Sequence, residues 1–332
     1  MKIISVFGVF VADLCFISNA IPEKGQTILG SQHIIGPGGK GSNQAIAAAK
    51  LNGSVNFISK IGKDKNGEMA LTLYKELGID TACIIQDENH STGVAGIMVN
   101  EKTGENAINI IPGAAGTLIH DDIEKNLNFI AKAEIFLTQL ETPYEVTSYA
   151  LKKAKEKGLT TILNPAPACK IKDDDFDLID FFTPNETEAE FYTGVKITSE
   201  KEAKLAAHKL ISFGVKKVII TLGEKGLFYA DGQDEIYLKA NSVKTVDTTG
   251  AGDAFKDALR SKVGDALDAR RQEVAGSMFK AEPHSDPKPE IAGTGTFTQD
   301  GQVEPTGSEA QPETPEVSNA ESQPANTDAT GV

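Results

Sequence analysis

This 332-residue chain has no long hydrophobic run, no excess of positive charge and no paired cysteines. Each absence narrows what it can be. No apolar stretch reaches the 18 or so residues that a membrane span needs. There are 33 Lys and Arg against 47 Asp and Glu, a formal net charge of −14, and no basic cluster, which argues against sequence-independent binding of nucleic acid. The three cysteines, Cys15, Cys83 and Cys169, lie far apart and none is in a CxxC; with five scattered histidines they suggest no metal cage. That usage fits a reducing compartment, and the expectation is a cytoplasmic protein. The opening MKIISVFGVFVADLCF has one Lys and no small-residue cleavage site. It reads as a strand leading into Asp13 rather than as a secretory leader.

What is present is unevenly spread. Residues 281–332 carry seven of the 14 prolines, ten acids against one lysine and a single aromatic, Phe297, so −9 of the charge lies there. Such a segment buries too little apolar surface to offset its conformational entropy, and the expectation is a disordered acidic tail. Residues 256–280 read as one charged amphipathic helix, with Ala258, Leu259, Val263, Leu267, Val274 and Met278 as its apolar positions.

Upstream, short β-branched or aromatic runs alternate with longer helical patterns. Strands are predicted at Ile3–Gly8, Asn56–Ile61, Glu134–Leu140, Thr160–Asn164, Ile179–Thr183 and Lys217–Leu222. Helices are predicted at Asn43–Leu51, Lys65–Leu77, Tyr144–Lys157 and Ser199–Phe213, the last with Ala203, Leu205, Ala206, Leu210 and Phe213 along one face. Near-continuous apolar runs such as IFLTQL and VIITL suit strands covered on both faces. The alternation predicts an α/β fold with a doubly wound, mostly parallel sheet flanked by helices, whose ligands sit beyond the carboxyl ends of the strands. Ala12–Ile17, Thr27–Ile34, Gly93–Val99 and Asn106–Ile111 break the pattern. No helix separates the last two, so a small antiparallel flap, drawn from roughly residues 11–35 and 92–112, is expected over the main sheet, placed to exclude water from a cleft.

Three motifs carry candidate chemistry. The segment Gly36-Pro37-Gly38-Gly39-Lys40-Gly41-Ser42-Asn43-Gln44 contains a literal GxGxxG, but it follows a flap strand and lacks an acid about 20 residues on, so it is not a dinucleotide fingerprint. It reads either as a Gly-rich turn capped by Ser42 or Asn43, or as bare backbone that a polyhydroxyl ligand approaches while Lys40 and Asn43 bond its hydroxyls. In Thr183-Pro184-Asn185-Glu186-Thr187-Glu188, Asn185 and Glu188 suit a helix capping box or, alternatively, the outer contacts of a hydrated Mg²⁺. Val246–Phe255 reads VDTTGAGDAF. It sets Gly250, Ala251 and Gly252 at a helix N-terminus, where free N–H groups and the dipole favour an anion. Asp253 there either complements the dipole or accepts a proton from an attacking hydroxyl. The Gly-flanked turn TLGEKG (Thr221–Gly226) and Glu141 after IFLTQL are weaker signals at strand ends.

Residues 1–255 resemble the ribokinase, or PfkB-type sugar kinase, family. GGKGSNQA at 38–45 looks like its sugar signature and DTTGAGDAF at 247–255 like its catalytic signature; NPAPA, TPNETEAE and ITLGEKG lie between them in family order. The resemblance implies ATP-dependent phosphorylation of ribose, or a related sugar, at its primary hydroxyl. It implies that Val11, Asp13, Gly39, Lys40, Asn43 and Glu141 hold the sugar, and that Asn185, Glu188, Thr221, Gly223, Gly226 and Gly252 face ATP and Mg²⁺. Gly250–Gly252 would form the anion hole, Asp253 would be the base, and Asp247 and Thr249 would serve an activating K⁺. Pairing of two copies through the flap is also implied. After Phe255 the family pattern of further helices that completes the adenine pocket is not matched. The alternative reading is therefore an impaired sugar-binding remnant or a fusion product.

Overall fold

The structure, a computed structural model, describes residues 3–240. The chain runs through β1 (Ile3–Phe7), β2 (Val11–Ser18), β3 (Gln32–Gly38), α1 (Lys40–Lys50), β4 (Ser54–Gly62), α2 (Lys65–Glu76), β5 (Ile84–Asp87), β6 (Thr92–Asn100) and β7 (Asn106–Gly113). It continues through α3 (His120–Ile130), β8 (Ile135–Thr138), α4 (Tyr144–Glu156), β9 (Thr160–Leu163), β10 (Phe181–Phe182), α5 (Glu186–Thr193), α6 (Glu200–Ser212), β11 (Lys217–Thr221), β12 (Leu227–Ala230) and β13 (Glu235–Leu238).

Among the described residues nine strands form one sheet in the order β13-β12-β11-β10-β9-β8-β1-β4-β5. The seven from β11 to β5 are parallel; β12 and β13 add antiparallel at one edge. From β1 the chain proceeds outward through β4 and β5, then returns and builds β8 to β11 on the other side. The order thus reverses between β1 and β8, and such a switch point opens a crevice outside the strands' carboxyl ends.

The period of two decides which side chain serves which core. On β8, Ile135 and Leu137 join the cluster with Ala45 and Ala48 of α1 and Tyr74 of α2. Phe136 points the other way and joins Ile123 and Ile130 of α3, Ala150 and Leu151 of α4, and Ala206 and Leu210 of α6. Phe136 also stacks on Phe7 at 6.4 Å between ring centroids. Each such side chain, taken fully from water, contributes about 1.5–3 kcal/mol. The doubly wound expectation holds because strands buried on both faces cannot alternate apolar with polar.

The second sheet, β3-β2-β6-β7, is the expected flap. β2–β3 and β6–β7 are antiparallel, but β2 and β6 run parallel, so the sheet is mixed where antiparallel hairpins were expected. A long excursion separates β2 from β6, and it lets the chain re-enter in the same direction. The strand expected at Thr27–Ile34 lies later, at Gln32–Gly38, where it pairs with Val11–Ile17.

Three further expectations change. Leu205, placed on the buried face of α6, is 58% exposed, and Ala207 is buried instead, because α6 packs through its small residues. α1 begins at Lys40 rather than Asn43. Strands β5, β12 and β13 and helix α3 were not anticipated: each strand has four residues, and the charged start of α3 hides Ile123 and Ile130, which occupy its buried side. The amphipathic helix and acidic tail expected beyond residue 255 lie outside the described residues.

Candidate active site

The crevice at the switch point is built from backbone before side chains enter it. β1 ends at Phe7 and Gly8 follows. A Cβ on Gly41 would come within 2.7 Å of the Gly8 Cα, so the first turn of α1 rests on the strand end with no room for a side chain on either residue. Gly39 has φ +89°, and a Cβ there would meet the Val9 carbonyl at 2.7 Å. The Ser42 amide donates to that same carbonyl at 3.0 Å. Close packing of backbone on backbone therefore dictates the glycines of this motif, and at Gly39 the positive φ adds a second reason.

The capping expected of Ser42 or Asn43 does not occur. Both lie inside α1, Ser42 buried and accepting from the Tyr74 hydroxyl at 2.8 Å. The N-cap is Gly39, which has no side chain to offer. Glu141, arriving from the segment after β8, accepts from the Lys40 amide at 2.8 Å instead. A free amide at a helix start prefers an anionic partner, and the fold brings one from 101 residues away.

Asp13 approaches from the flap. It pairs with Gly36 across β2–β3, and a Cβ at Gly38 would overlap its carboxyl group. Desolvation by burial pushes the Asp13 carboxyl up to about 6. Asp13, Gly39, Lys40 and Glu141 are thus brought together, with Asn43 one turn further along α1, its amide donating to the Gly39 carbonyl at 2.8 Å. Val11 is 1% exposed with its side chain in the core, which leaves only its backbone to face a ligand.

A second group occupies the ends of β10 and β11. The Asn185 side chain accepts from the Glu188 amide at 2.8 Å, and the Asn185 amide donates to Glu188 at 2.9 Å, a complete capping box on α5. Asn185 bridges Thr221, whose amide donates to the Pro184 carbonyl at 3.0 Å. Gly223 sits at φ +55° in the following turn, and a Cβ at Gly226 would overlap the Leu238 carbonyl of β13. Gly226 therefore has a structural requirement of its own. Asp247, Thr249, Gly250, Ala251, Gly252 and Asp253 lie outside the described residues.

Sequence reasoning missed the root of the flap. Asp64, the N-cap of α2, accepts from the Gly67 amide at 2.9 Å and also from the Thr92 amide and hydroxyl, each at 2.7 Å. The Thr92 hydroxyl in turn accepts from the Gly62 amide at 2.9 Å. One carboxylate thereby ties the first residue of β6 to the end of β4 and the start of α2. Desolvation raises the Asp64 pKa, but the bonds from Thr92 and Gly67 outweigh it and hold the group below the ordinary carboxylate range. The available signal was an Asp directly before a helix.

A doubly wound sheet of this topology, with a switch point between β1 and β8 and a second, four-stranded sheet beside it, defines the fold class. Solved structures share it. Ribokinase from Giardia lamblia matches with TM-score 0.75 and 30% identity, over 83% of this chain and 89% of that one. Ribokinase from Arabidopsis thaliana, solved with ribose and ATP, matches with TM-score 0.73 and 28% identity, over 84% and 91%. Ribokinase of Staphylococcus aureus is 40% identical over 231 residues, 70% of this chain and 76% of that protein, and deoxyribokinase of Salmonella typhi is 38% identical over 253 residues, 76% and 82%. Residues 1–261 match the family described as pfkB family carbohydrate kinase, and the chain belongs to that family.

Proposed function

We propose that the chain transfers the terminal phosphoryl group of ATP to the primary hydroxyl of ribose. The observation that carries this reading is the convergence of Asp13, Gly39, Lys40 and Glu141 at the switch point, where two carboxyl groups, a cationic residue and bare backbone suit a small polyhydroxyl compound. The names of the relatives, ribokinase and deoxyribokinase, support a pentose.

In the proposed reaction the sugar oxygen attacks the γ-phosphorus. The new O–P bond forms as the bridging O–P bond to the β-phosphate breaks, ADP departs, and the hydroxyl proton goes to the Asp253 carboxylate. The Gly250–Gly252 amides meet the developing charge. Transfer of this kind needs alignment and charge neutralisation more than covalent chemistry. The flap excludes the water that would compete as acceptor.

Mg²⁺ fits this arrangement as an ion carried by phosphates and water. Among the described residues no cluster of three or more His, Cys, Asp or Glu could hold a metal by itself, while Asn185 and Glu188 offer an amide and a carboxylate held in place by the capping box for outer contacts. When bound, Mg²⁺ neutralises phosphate charge. Asp247 and Thr249 are the proposed K⁺ ligands.

Two copies are proposed to pair through the flap. Strand register puts Phe16, Ile35, Met98 and Ile111 on the face opposite Asp13, each between 42% and 56% exposed. A reducing, cytoplasmic setting remains the reading for localisation; no helix among the described residues is long and apolar enough to cross a membrane.

Sugar phosphorylation by the purified chain, with ribose, 2-deoxyribose, fructose and adenosine compared with and without K⁺, tests the function. Asp253→Asn should abolish turnover and leave calorimetric sugar binding in place. Equal turnover by the variant rejects the base, and sugar heat without nucleotide heat in the parent favours the remnant reading.

A further inference from the structure

Beneath the crevice runs a line of buried carboxamides that neither sheet requires. Gln139 Nε2 donates to Gln44 Oε1 at 2.6 Å, Gln44 Nε2 donates to Asn164 Oδ1 at 3.1 Å, and Asn164 Nδ2 donates to the Thr183 carbonyl at 3.3 Å. Gln139, Gln44 and Asn164 are fully buried and Thr183 nearly so. The line's direction is fixed at one end. A backbone carbonyl only accepts, so Asn164 must present its NH₂ to Thr183 and its oxygen to Gln44, and the same logic passes to Gln139. The last acceptor, Gln139 Oε1, then has no hydrogen-bond partner among the described residues; it lies against Gly8, where a Cβ would overlap it.

The line joins elements that the sheet does not join. Gln44 is on α1, next to Asn43 and one turn after Lys40, outside the nine-stranded sheet. Gln139 follows β8, Asn164 follows β9, and Thr183 follows β10, two residues before Asn185. Together with the Glu141–Lys40 bond, it fixes where α1 stands relative to the ends of three strands and the loop that starts α5. A buried polar line whose last acceptor has no partner among the described residues is a costly way to fill space, since apolar groups of the same shape carry no acceptor to satisfy. What hydrogen bonds add is a defined geometry.

We infer that Gln44, Gln139 and Asn164 are positioning residues that hold the sugar-side helix in register with the nucleotide-side loop, so that the hydroxyl and the γ-phosphate meet in line. This rests on the ribose kinase reading above. An alignment role acts on turnover: a displacement of about 1 Å can cost on the order of 10²-fold in rate, while each substrate still binds its own half of the crevice.

The test compares wild type with Asn164→Leu, Gln44→Glu and the triple variant Gln44→Met, Gln139→Met, Asn164→Leu. Measured are kcat, both KM values and Tm, with ribose and MgATP. Asn164→Leu should lower kcat on the order of 10²-fold with both KM values changed much less. The triple variant should regain most of the lost Tm, because no polar group is stranded, yet keep the low kcat. Gln44→Glu is the conservative control and needs no repacking. As a neutral carboxyl it accepts from Gln139 and donates to Asn164, and as a carboxylate it cannot donate, so its kcat relative to wild type should fall as pH rises.

Recovery of kcat together with Tm in the triple variant overturns the proposal, as does a Gln44→Glu to wild-type ratio that is flat with pH in a variant of unchanged Tm. A triple variant that fails to fold leaves the Gln44→Glu profile and the kcat–KM split of Asn164→Leu to decide. Wild type that binds ribose and MgATP but forms no sugar phosphate overturns the kinase reading itself, and the alignment role with it.

Discussion

The two sheets differ in how much apolar cover holds them. The nine-stranded sheet has helices on both faces, and its strands are apolar on both; Phe136 and Leu137, adjacent on β8, belong to different cores and are both fully buried. The flap has no such cover among the described residues. Phe16, Ile35, Met98 and Ile111 lie open on one face, and a half-exposed hydrophobic row is what a pairing surface requires. Its attachment joins the polar tie of Asp64 and Thr92 to a few apolar contacts, Val11 and Ala95 reaching the main core, and Asp13, the proposed sugar ligand, is kept at an electrostatic cost. Local stability follows burial, so the flap, with fewer buried apolar side chains, should open at a lower free energy than the scaffold.

The largest effect should come from the scaffold. Phe136→Ala removes a ring at the centre of one core and should lower global stability by about 3–5 kcal/mol in denaturant titration. A loss below about 1 kcal/mol would show that the parallel sheet does not rest on this core. Next is the root. Asp64→Ala removes the α2 cap and both bonds to Thr92 and should cost about 1–2 kcal/mol. Hydrogen exchange should locate the loss in β2, β6 and β7 and leave β1 and β8 protected; equal loss in both sheets would erase the contrast. The acid dependence of this tie is set by its lowered pKa. Its stabilisation is present above the ordinary Asp range and is lost as pH falls through the depressed value.

Asp13 sharpens the comparison with the opposite sign. Its folded pKa of about 6 lies above the ordinary Asp value of 3.8, so the native state binds the extra proton between those values. Its contribution to stability therefore declines as pH rises from about 4 to 6, and on the proposed sugar-binding role affinity should rise over the same window as the carboxylate forms. Asp13→Asn should raise Tm at pH 7 and weaken sugar binding, read by thermal denaturation and calorimetry; a lowered Tm would show that burial does not strain this group. The smallest effect belongs to the open face. Phe16→Ser should leave monomer stability within about 0.5 kcal/mol and shift sedimentation toward the monomer. Unchanged sedimentation in wild type and variant would remove the pairing role.

Several of these features were legible in the linear chain. The buried strands announced themselves as apolar runs, and the Asn185–Glu188 spacing forecast the capping box that the structure contains. A suitable residue three positions on is all a capping box needs. The same kind of reasoning failed at α1, where Ser42 and Asn43 looked like caps. The partner of the first amide is Glu141, and no local pattern reports a group 101 residues away. Leu205 failed for a related reason: periodicity marks a stripe, but only the neighbouring elements decide which edge of it is covered. Within the candidate site, Lys40 was singled out by its Gly-rich motif and Glu141 by its place at a strand end, while Asp13 entered only through the family resemblance. Asp64, Gln44, Gln139 and Asn164 gave weak signals or none, since a buried amide reads like any exposed one.

By itself the sequence determined the α/β class, the parallel core and the existence of a flap, because periodicity and turn chemistry act over a few residues, and its signature segments resembled those of a sugar kinase family. The tertiary structure alone decided the strand order that opens the crevice between β1 and β8, the parallel pairing of β2 with β6, the carboxylate that starts α1 and the amide line beneath it. These depend on groups distant in the chain meeting within about 3 Å, and hydrogen bonds of that reach leave no trace in local composition.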